Sequence, residues 1–495
     1  MAHSRTVLIQ CGDHFENQTR IELLSSTLLA MGHRPVVMLY ARGKGDIFRR
    51  TGASVVYLND YLHQARRHRS RAMNDPVAMN VSVARLIEIE ARRRPMIGWP
   101  GQISKTVADG ARYLVAIDRM LANIKPDRVA IWNGFTGYAA NALRLLCEAS
   151  HIRAAYLERG LRRDSLFIDA LGVNGASSLG LFDPESLPEP DETVHARLAQ
   201  WFPERRANQS TTDDPGARRR ILFPMQVELD TNILLYSPYS SMRRAFLAIH
   251  EMLATPHTEF IVRPHPEEVP GHRSNIPAFD RVCVASEGSL TDWIDSCDLV
   301  ATINSTVGLE ALLRGKPVLA LGASIYSAIC PTPGPDRVIG DYRVSATRLD
   351  KFLHELGSSN LLIDGSECNP GATARQLNLV QLASGQRARP ATALTQIETV
   401  AHHLETNGSI VVDVAMDPAR PLNLTYRNAR QRLDMGLLKT QLFPGVQAAR
   451  ITLQPAGRSD RPAQVLVVDE GWRGRPGTYL AVANNYGIVL AAKGQ

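Results

Sequence analysis

Short apolar runs alternate with helical patterns at the start of the chain. The run "TVLIQC" (6–11) is followed by a polar loop, a helical pattern in "IELLSSTLLAMGH", and a second apolar run, "PVVMLY". Short apolar runs indicate buried strands, and apolar positions spaced three and four apart indicate helices. The pattern therefore predicts a strand–helix–strand unit.

The alternation continues in two blocks. In the first, residues 60–125 are predicted to be largely helical, and further strands are predicted at 53–58, 128–134 and 153–158. The second block begins after residue 218, with strands at 220–226, 259–264, 282–286, 299–304 and 317–322 and helices between them. Such alternation predicts two mostly parallel sheets, each covered by helices on both faces.

The remaining segments have a different pattern. Residues 183–218 are rich in proline, aspartate and threonine, which predicts a linker. Beyond about residue 370, a helical stretch at 390–406 precedes β-like runs. The 495 residues are too many for one hydrophobic core. The predicted fold class is α/β, with two Rossmann-like domains facing a cleft at 1–182 and 219–370, and a small β-rich C-terminal appendage of unknown role at 371–495.

Composition narrows the class of protein. Hydrophobic residues make up 44% of the chain, and no apolar run approaches the roughly 20 residues that span a bilayer. The N-terminus lacks the apolar core of a signal peptide, so we expect a cytoplasmic protein. The six cysteines are scattered without metal-binding spacing, which predicts reduced thiols and no metal site. No P-loop or GxGxxG follows the first strand, which disfavours a kinase or a dehydrogenase.

The net charge suggests an anionic partner. The formal charge is +7, and the candidate partners are nucleic acid, an anionic substrate, and the anionic inner face of a membrane. The basic runs are dispersed and have few aromatic neighbours, which disfavours nucleic acid. We interpret each run, including "RRR" at 92–94, as a solvated face.

One histidine follows a predicted strand. In "EFIVRPHPEE" (259–268), Arg263 ends the strand and His265 stands between Pro264 and Pro266. The prolines restrict the backbone and hold the imidazole in place. The imidazole, with Arg263, is suited to donate hydrogen bonds to a phosphate. A histidine that only packs in a stiff turn fits the same residues equally well.

A second strand end lies nearby in the sequence. Asn304 ends this strand, and Ser305 and Thr306 stand where a helix begins. Free N–H groups at a helix N-terminus favour phosphate binding, Gly308 would let a ligand approach, and Glu310 would accept ribose hydroxyls. The alternatives are a simple helix cap and a simple dipole interaction. Two such strand ends favour a phosphate site.

Carboxylates follow other strand ends. Glu158 ends a strand of the first block, and Asp169 follows shortly after it. Carboxylates at a strand end that faces a cleft are candidates for a general base or a nucleophile. In the second block, Gln226 and Asp230 follow the first strand and are predicted to line the cleft. The opposite wall is predicted to contain Asn133, Gly134 and the loop Gly12–Thr19, which includes His14.

Several of these sequence segments, in the order in which they occur, resemble the motifs of a known family. The segments "LERGLRRDSLFIDALGVN", "PMQVELD", "RPHPEE" and "TINSTVGLEALLRGKPVLALGASIY" occur in this order within residues 125–330. They resemble the capsule polysaccharide biosynthesis family, which includes bacterial β-Kdo transferases that use CMP-Kdo. The resemblance implies a GT-B-like fold and a metal-independent glycosyltransferase that needs no cofactor beyond its nucleotide-sugar donor.

The resemblance also implies residue roles. Transferases of this broad group share an acidic pair followed by glycine, a His-Pro, and a Ser-Ser/Thr. Here the acidic motif is Glu158-Arg159-Gly160, in which arginine replaces the second acid. Glu158 is the implied catalytic carboxylate, with Asp230 and Asp169 as second choices. The implied nucleotide-binding residues are Gln226, Arg263, His265, Pro266, Asn304, Ser305, Thr306, Gly308 and Glu310, and the implied acceptor-binding residues are His14, Asn133, Gly134, Arg162 and Asn174.

The expected partners are a nucleotide sugar and a saccharide or lipid-linked acceptor, with peripheral association with the anionic inner membrane and no nucleic acid. Three alternatives remain open. The donor could be another CMP-, CDP- or UDP-activated group. The protein could be a GT-B-type sugar-nucleotide 2-epimerase, or a non-catalytic polysaccharide-assembly protein.

Overall fold

The computed structural model describes residues 4–379 apart from short gaps, and separate strands between residues 410 and 492. The gaps within the first range are residues 12–14, 43–44, 66–71, 95–99, 163–164, 207–217, 240, 268–275, 277–278, 286, 335–336, 364–369 and 378. The predicted helical stretch at 390–406 lies outside the described residues.

The first part of the chain alternates strands and helices as the sequence predicts. Its strands are β1 (Thr6–Gln10), β2 (Arg34–Leu39), β3 (Ser54–Tyr57), β4 (Pro76–Ala78), β5 (Val81–Ser82), β6 (Arg128–Trp132), β7 (Ala154–Arg159) and β8 (Ser165–Asp169). Its helices are α1 (Phe15–Ala30), α2 (Asp46–Thr51), α3 (Leu58–Gln64), α4 (Val83–Arg93), α5 (Pro100–Ile124), α6 (Tyr138–Ala149) and α7 (Glu192–Trp201).

The second part contains a further set of alternating elements. Its strands are β9 (Arg219–Pro224), β10 (Thr258–Arg263), β11 (Val282–Val284), β12 (Leu299–Thr302), β13 (Val318–Ala320) and β14 (Leu361–Ile363). Its helices are α8 (Thr231–Tyr236), α9 (Met242–Leu253), α10 (Leu290–Ser296), α11 (Thr306–Leu313), α12 (Ala346–Glu355) and α13 (Pro370–Gln376).

The first sheet has the order β14-β8-β7-β6-β1-β2-β3. From β7 to β3, neighbouring strands are parallel, so Gln10, Trp132 and Arg159 end their strands at the same edge. All five residues of β1 are buried, as expected for a central strand covered on both faces. Helices α1 and α13 lie on one face of the sheet, and α4, α5 and α6 lie on the other.

The second sheet has the order β11-β10-β9-β12-β13, and all its pairings are parallel. Side chains of β9 alternate between two cores, with Leu222 in one and Ile221 and Phe223 in the other. This alternation follows from the two-residue repeat of a strand. Two parallel-rich sheets confirm the predicted α/β class.

Three details differ from the sequence prediction. Residues 60–125 contain a short β4–β5 hairpin as well as helices, and residues 183–218 contain α7, capped by the Asp191 side chain. The strands β8 and β14 were not predicted, and β14 pairs antiparallel with β8. The chain therefore returns to the first sheet after α12, so a domain boundary at residue 370 does not coincide with the sheet boundary.

The described strands beyond residue 410 form an antiparallel sheet, as the β-like runs predict. They are β15 (Ile410–Ala415), β16 (Leu422–Asn428), β17 (Gln431–Leu438), β18 (Ala448–Gln454), β19 (Gln464–Val467), β20 (Thr478–Asn484) and β21 (Gly487–Ala492). The sheet order is β17-β16-β15-β18-β19-β20-β21.

Helix α8 of the second part packs against the first part of the chain. A Cβ added at Gly175, which follows β8, would lie 2.6 Å from the Tyr236 ring and 2.8 Å from the Ala323 carbonyl oxygen. Residue 175 must therefore be glycine for the two parts to approach this closely. None of the described helices combines the length and the apolar character needed to cross a membrane.

Candidate active site

A tight turn follows β6 at the carboxyl edge of the first sheet. Asn133 (φ 56°) and Gly134 (φ 89°) both have left-handed backbone conformations. A Cβ at Gly134 would lie 2.6 Å from the Tyr156 ring, so only glycine fits there. The turn brings Asn133 Nδ2 to 3.3 Å from Glu158 Oε2, so these two candidate site residues are in contact.

Glu158 lies one residue before the end of β7. Its carboxylate accepts hydrogen bonds from the Arg159 backbone N–H, at 3.0 Å, and from Asn133. Burial raises the pKa of Glu158, while these two donors and the Arg159 guanidinium act in the opposite direction. The result is a partly buried carboxyl group that is more basic than an exposed glutamate.

The charge of Asp230 also raises the pKa of Glu158. Asp230 is exposed at the N-terminus of α8, where its Oδ1 accepts a hydrogen bond from the Asn232 N–H at 2.8 Å. Salt screens interactions between exposed charges beyond about 10 Å. Asp230, which belongs to the second part of the chain, is therefore close enough to Glu158 for its charge to act on that carboxyl group.

The third candidate carboxylate, Asp169, has a structural role instead. It is fully buried, and its two oxygens accept hydrogen bonds from backbone or side-chain groups of Leu171, Gly172, Ser177, Ser178 and Asn360. Burial raises its pKa, and these hydrogen bonds oppose that shift. A carboxylate enclosed in this way cannot reach a substrate, so its assignment as a second-choice catalytic group is corrected.

Gln226 and Asn304 form a polar network at the carboxyl edge of the second sheet. Gln226 Nε2 donates to Asn304 Oδ1 at 2.9 Å, and Asn304 Nδ2 donates to the Asn232 carbonyl oxygen at 2.9 Å. Asn304 is 5% exposed. The network joins the ends of β9 and β12 to α8, so these two predicted nucleotide-binding residues are occupied in fixing the loops that line the site.

His265 follows β10 at the same edge and is partly exposed. Its Nδ1 accepts a hydrogen bond from the Glu267 backbone N–H at 3.1 Å. A neutral imidazole that accepts at Nδ1 carries its proton on Nε2. His265 therefore has an N–H donor at Nε2. Pro266, the next residue, is exposed.

Ser305 and Thr306 begin α11 beside this histidine-bearing edge. Ser305 Oγ accepts from the Val307 N–H at 3.3 Å and caps the helix, so the capping alternative holds for serine. Thr306 is the exposed first residue of the helix. The N-terminus of α11, with its positive dipole end and the Thr306 hydroxyl, points out of the second sheet at its carboxyl edge.

Two residues of α11 have surroundings that differ from the prediction. A Cβ at Gly308 would lie 2.2 Å from the Tyr326 hydroxyl oxygen, so the space beside Gly308 belongs to Tyr326 and not to a ligand. Glu310 lies in the second turn of the helix, where burial raises its pKa, Arg314 lowers it and Glu204 raises it.

Two predicted binding arginines hold the protein itself together. Arg263 donates to the carbonyl oxygens of Glu287 (3.1 Å) and Gly288 (2.8 Å) in the loop before α10. Arg162 donates to the carbonyl oxygens of the last two residues of α7, both at 3.3 Å. A cation at a helix C-terminus is favourable, so Arg162 stabilises α7.

The other predicted acceptor residues are only partly placed. Asn174 has a left-handed conformation (φ 56°) next to the interdomain residue Gly175. His14 lies outside the described residues. Among the described residues, no group of three or more His, Cys, Asp and Glu side chains is arranged to hold a metal ion.

Residues of α4, which the sequence analysis does not assign to the site, contact both parts of the chain that form it. Buried Glu90 accepts from the Gly137 N–H at 2.7 Å, and Arg93 donates to the Leu229 carbonyl oxygen at 3.3 Å. Arg92 of the same helix donates to the Leu234 carbonyl oxygen at 3.4 Å. Two residues of the "RRR" run at 92–94 therefore contact other elements, which corrects the interpretation of a solvated face. No periodic or compositional signal distinguishes them from surface arginines.

Comparison with known proteins agrees with the sequence resemblance. Residues 183–334 match the sequence profile of a family described as "Capsule polysaccharide biosynthesis protein". This match confirms, for that part of the chain, the resemblance to the capsule polysaccharide biosynthesis family. The matched segment includes the second sheet, His265 and the N-terminus of α11.

Individual relatives match shorter regions. Protein FixF of Sinorhizobium fredii is 29% identical over 211 residues, covering 40% of this chain and 49% of FixF. Lipopolysaccharide-processing protein LpsZ of Rhizobium meliloti is 37% identical over 118 residues, covering 23% of this chain and 27% of LpsZ. The chain thus aligns with about half or less of the length of these relatives.

Among solved structures, the β-Kdo 2,7 transferase of KpsC from Thermosulfurimonas dismutans is similar at 20% sequence identity. The match covers 59% of this chain and 95% of that chain, with a TM-score of 0.35.

Proposed function

We propose that the protein is a metal-independent glycosyltransferase of capsule or surface polysaccharide biosynthesis, and that it transfers Kdo from CMP-Kdo to a saccharide or lipid-linked acceptor. The observation that supports the proposal is the contact of the Glu158 carboxylate with Asn133 and Arg159, within reach of the charge of Asp230 from the second part of the chain. His265 and the N-terminus of α11 lie at the carboxyl edge of the second sheet, where ligands of open parallel sheets bind.

In the proposed reaction, the second domain holds the nucleotide. The Nε2–H of His265 and the Thr306 hydroxyl, at the positive end of the α11 dipole, donate to the phosphate of CMP. As the bond between the sugar anomeric carbon and the phosphate oxygen breaks, these donors stabilise the negative charge on the departing CMP. Protein donors then do the work that a metal ion does in other transferases.

Glu158 is the proposed reacting carboxylate. It accepts the proton of the acceptor hydroxyl while the acceptor oxygen forms its bond to the anomeric carbon. A carboxyl group whose pKa is raised by burial is a better proton acceptor than an exposed glutamate. Asp230, exposed on the facing wall, remains the second candidate for this role.

The donor class is supported by Arg159. Its exposed guanidinium lies close enough to lower the pKa of Glu158. Kdo carries a carboxylate directly on its anomeric carbon, so a cation beside the reacting carboxylate would bind this group and offset its repulsion by Glu158. A neutral sugar donor has no group that would use this cation.

The net charge of the chain supports a proposal for the cellular location of the protein. A net charge of +7 favours the anionic inner surface of a membrane, where a lipid-linked acceptor would be found. We propose a cytoplasmic protein with peripheral membrane association on this ground.

Thermal unfolding in the presence of nucleotides tests the donor. A ligand that binds only the folded state raises Tm. We expect CMP to raise Tm by several degrees at millimolar concentration and UDP to have little effect. A clear shift with UDP and none with CMP would overturn the CMP-sugar proposal.

Incubation with CMP-Kdo and acceptor should release CMP and form a glycoside. Formation of an epimerised nucleotide sugar instead would indicate the epimerase alternative.

A further inference from the structure

Helix α4 contacts both walls of the candidate active site. On one side, Glu90 Oε1 accepts the Gly137 N–H at 2.7 Å. Gly137 belongs to the same β6–α6 connection as Asn133, the side chain that donates to Glu158. Glu90 is 3% exposed, and this buried carboxylate therefore fixes the connection that orients Glu158.

On the other side, two arginines of α4 reach the second domain. Arg93 Nε lies 3.3 Å from the Leu229 carbonyl oxygen, and Arg92 Nη1 lies 3.4 Å from the Leu234 carbonyl oxygen. Leu229 directly precedes Asp230, and Leu234 lies in α8, the helix that Asp230 caps. The two arginines therefore bind the backbone on both sides of Asp230.

The two sides are joined through one side chain. Arg93 Nη1 donates to Glu90 Oε1 at 3.1 Å, on the same oxygen that accepts from Gly137. A continuous path of hydrogen bonds thus runs from the β6–α6 connection through Glu90 and Arg93 to the residue before Asp230. Charge-assisted bonds of this kind are stronger than neutral ones and hold a defined geometry.

We propose that Glu90, Arg92 and Arg93 form an interdomain latch that positions Asp230 opposite Glu158, and that the cleft is catalytically competent only while this latch is closed. The three are positioning residues, since they act through Asp230 and Asn133. The inference rests on the proposed transferase function for its kinetic consequence, but the contact between the domains can be measured without any substrate.

The latch also sets the charge around Glu158. The groups that act on this carboxyl are its own neighbour Arg159, the Asn133 amide and, across the cleft, Asp230. Release of the latch would move Asp230 away and remove one contribution that raises the pKa of Glu158. A change in the pH profile of activity therefore distinguishes a positioning role from a general loss of stability.

The test is the double variant Arg92→Ala/Arg93→Ala, with Arg85→Gln as the matched control. Arg85 is on the same helix and pairs at 3.1 Å with Glu148, which belongs to the first domain. The distance between the domains is measured between two spin labels, one at the exposed Cys283 of the second domain and one at a cysteine introduced by Ser104→Cys on α5. Cys368→Ser removes a further cysteine that would otherwise compete for the label.

In the double variant we expect a longer and broader distance distribution, a kcat lowered about 10-fold or more, and an acid limb of the pH profile shifted to lower pH. The Tm shift caused by CMP should be kept, because the nucleotide site lies in the second domain. Arg92→Lys/Arg93→Lys should restore much of kcat, and Arg85→Gln should match the wild type in every readout.

Unchanged distances in the double variant would overturn the latch even if no donor were ever transferred, which separates this result from a failure of the proposed function. The catalytic role of the latch would be overturned if the distances change while kcat stays within twofold of the wild type and the acid limb of the pH profile does not move.

Discussion

Glu158 shows how a single residue acquires chemistry from its surroundings. Its sequence context supplies a strand end and a neighbouring arginine, but its raised pKa depends on burial and on Asp230 from a distant part of the chain. Asp169 has the same side-chain chemistry and is enclosed by hydrogen-bond donors. Exposure to the cleft, and not residue type, separates the reacting candidate from the structural carboxylate.

Replacement of Glu158 tests this assignment. We expect Glu158→Gln to lower kcat about 100-fold or more, the range that positioned acid–base groups contribute, while the Tm shift caused by CMP stays unchanged. Asp169→Asn is the contrasting variant and should lower Tm, because an amide cannot accept all the hydrogen bonds that the buried carboxylate accepts. Near-native turnover in Glu158→Gln would move the reacting role to Asp230.

The difference in stability between Glu158→Gln and the wild type should depend on pH in a defined direction. The pKa of Glu158 is raised in the folded protein, so its neutral form favours folding below the pKa of the unfolded chain, and this benefit is lost as pH rises through the folded pKa. Glutamine has no charge to lose. The variant should therefore exceed the wild type in Tm at pH 7 and match it at about pH 4, as measured by calorimetry. A lower Tm at pH 7 would contradict the burial argument.

At the scale of elements, α11 packs against the protein at Gly308 and is exposed to solvent at its first residue, Thr306. Tyr326 fills the space beside Gly308, and its hydroxyl donates to the Ser305 carbonyl oxygen at 2.5 Å. This contact holds the start of the helix from below, and Thr306 is left exposed at the edge of the sheet. The glycine in "NSTVG" thus serves the phosphate-binding candidates indirectly.

Gly308→Ala distinguishes packing from ligand contact. An added Cβ would overlap the Tyr326 ring, so we expect a loss of about 1–3 kcal/mol in the free energy of unfolding without any nucleotide. Gly101→Ala in α5 is the matched control, because a Cβ there meets nothing within 4 Å, and helical alanine is favoured by roughly 0.5–1 kcal/mol. Unchanged stability with weakened CMP binding would support a ligand contact at Gly308 instead.

At the scale of the whole molecule, the chain closes back on its own beginning. Strand β14 extends the first sheet beside β8, and Gln376 of α13 donates to the Ser359 carbonyl oxygen and accepts from the Ala170 N–H, both at 2.8 Å. The first domain is thus completed by residues that follow the second. The two parts of the chain contact each other through α4, α8 and the segment around Gly175.

Truncation tests this closure. A chain that ends at residue 379 retains β14 and α13 and should unfold cooperatively, with the CMP shift intact. A chain that ends at residue 355 loses both elements, exposes the β8 edge and the buried face of α1, and should be less stable by several kcal/mol. Equal Tm values for the two chains would contradict the role of the returning segment.

The sequence by itself determined the local elements of this protein. Continuous apolar runs predict the buried parallel strands, and strand ends predict Glu158, Asp230, His265 and Ser305 at the carboxyl edges. These features depend on neighbours in sequence, which is why periodicity and turn chemistry reveal them. The short strand β14 escapes prediction because its pairing with β8 joins residues far apart in the chain. Strand β8 pairs with the neighbouring strand β7, so its pairing is local, and its short apolar run is not recognised as a strand in the sequence.

Only the tertiary structure decided which polar residues face the cleft. Asp169 is buried and hydrogen-bonded, and Gly308 packs against Tyr326. Arg162 and Arg263 donate to backbone carbonyl oxygens at a helix end and in a loop. The same folding gave Glu90, Arg92 and Arg93 contacts on both walls of the site, although their sequence is that of a solvated face. Such roles depend on hydrogen bonds and electrostatic contacts across domains, and these exist only once the chain has folded.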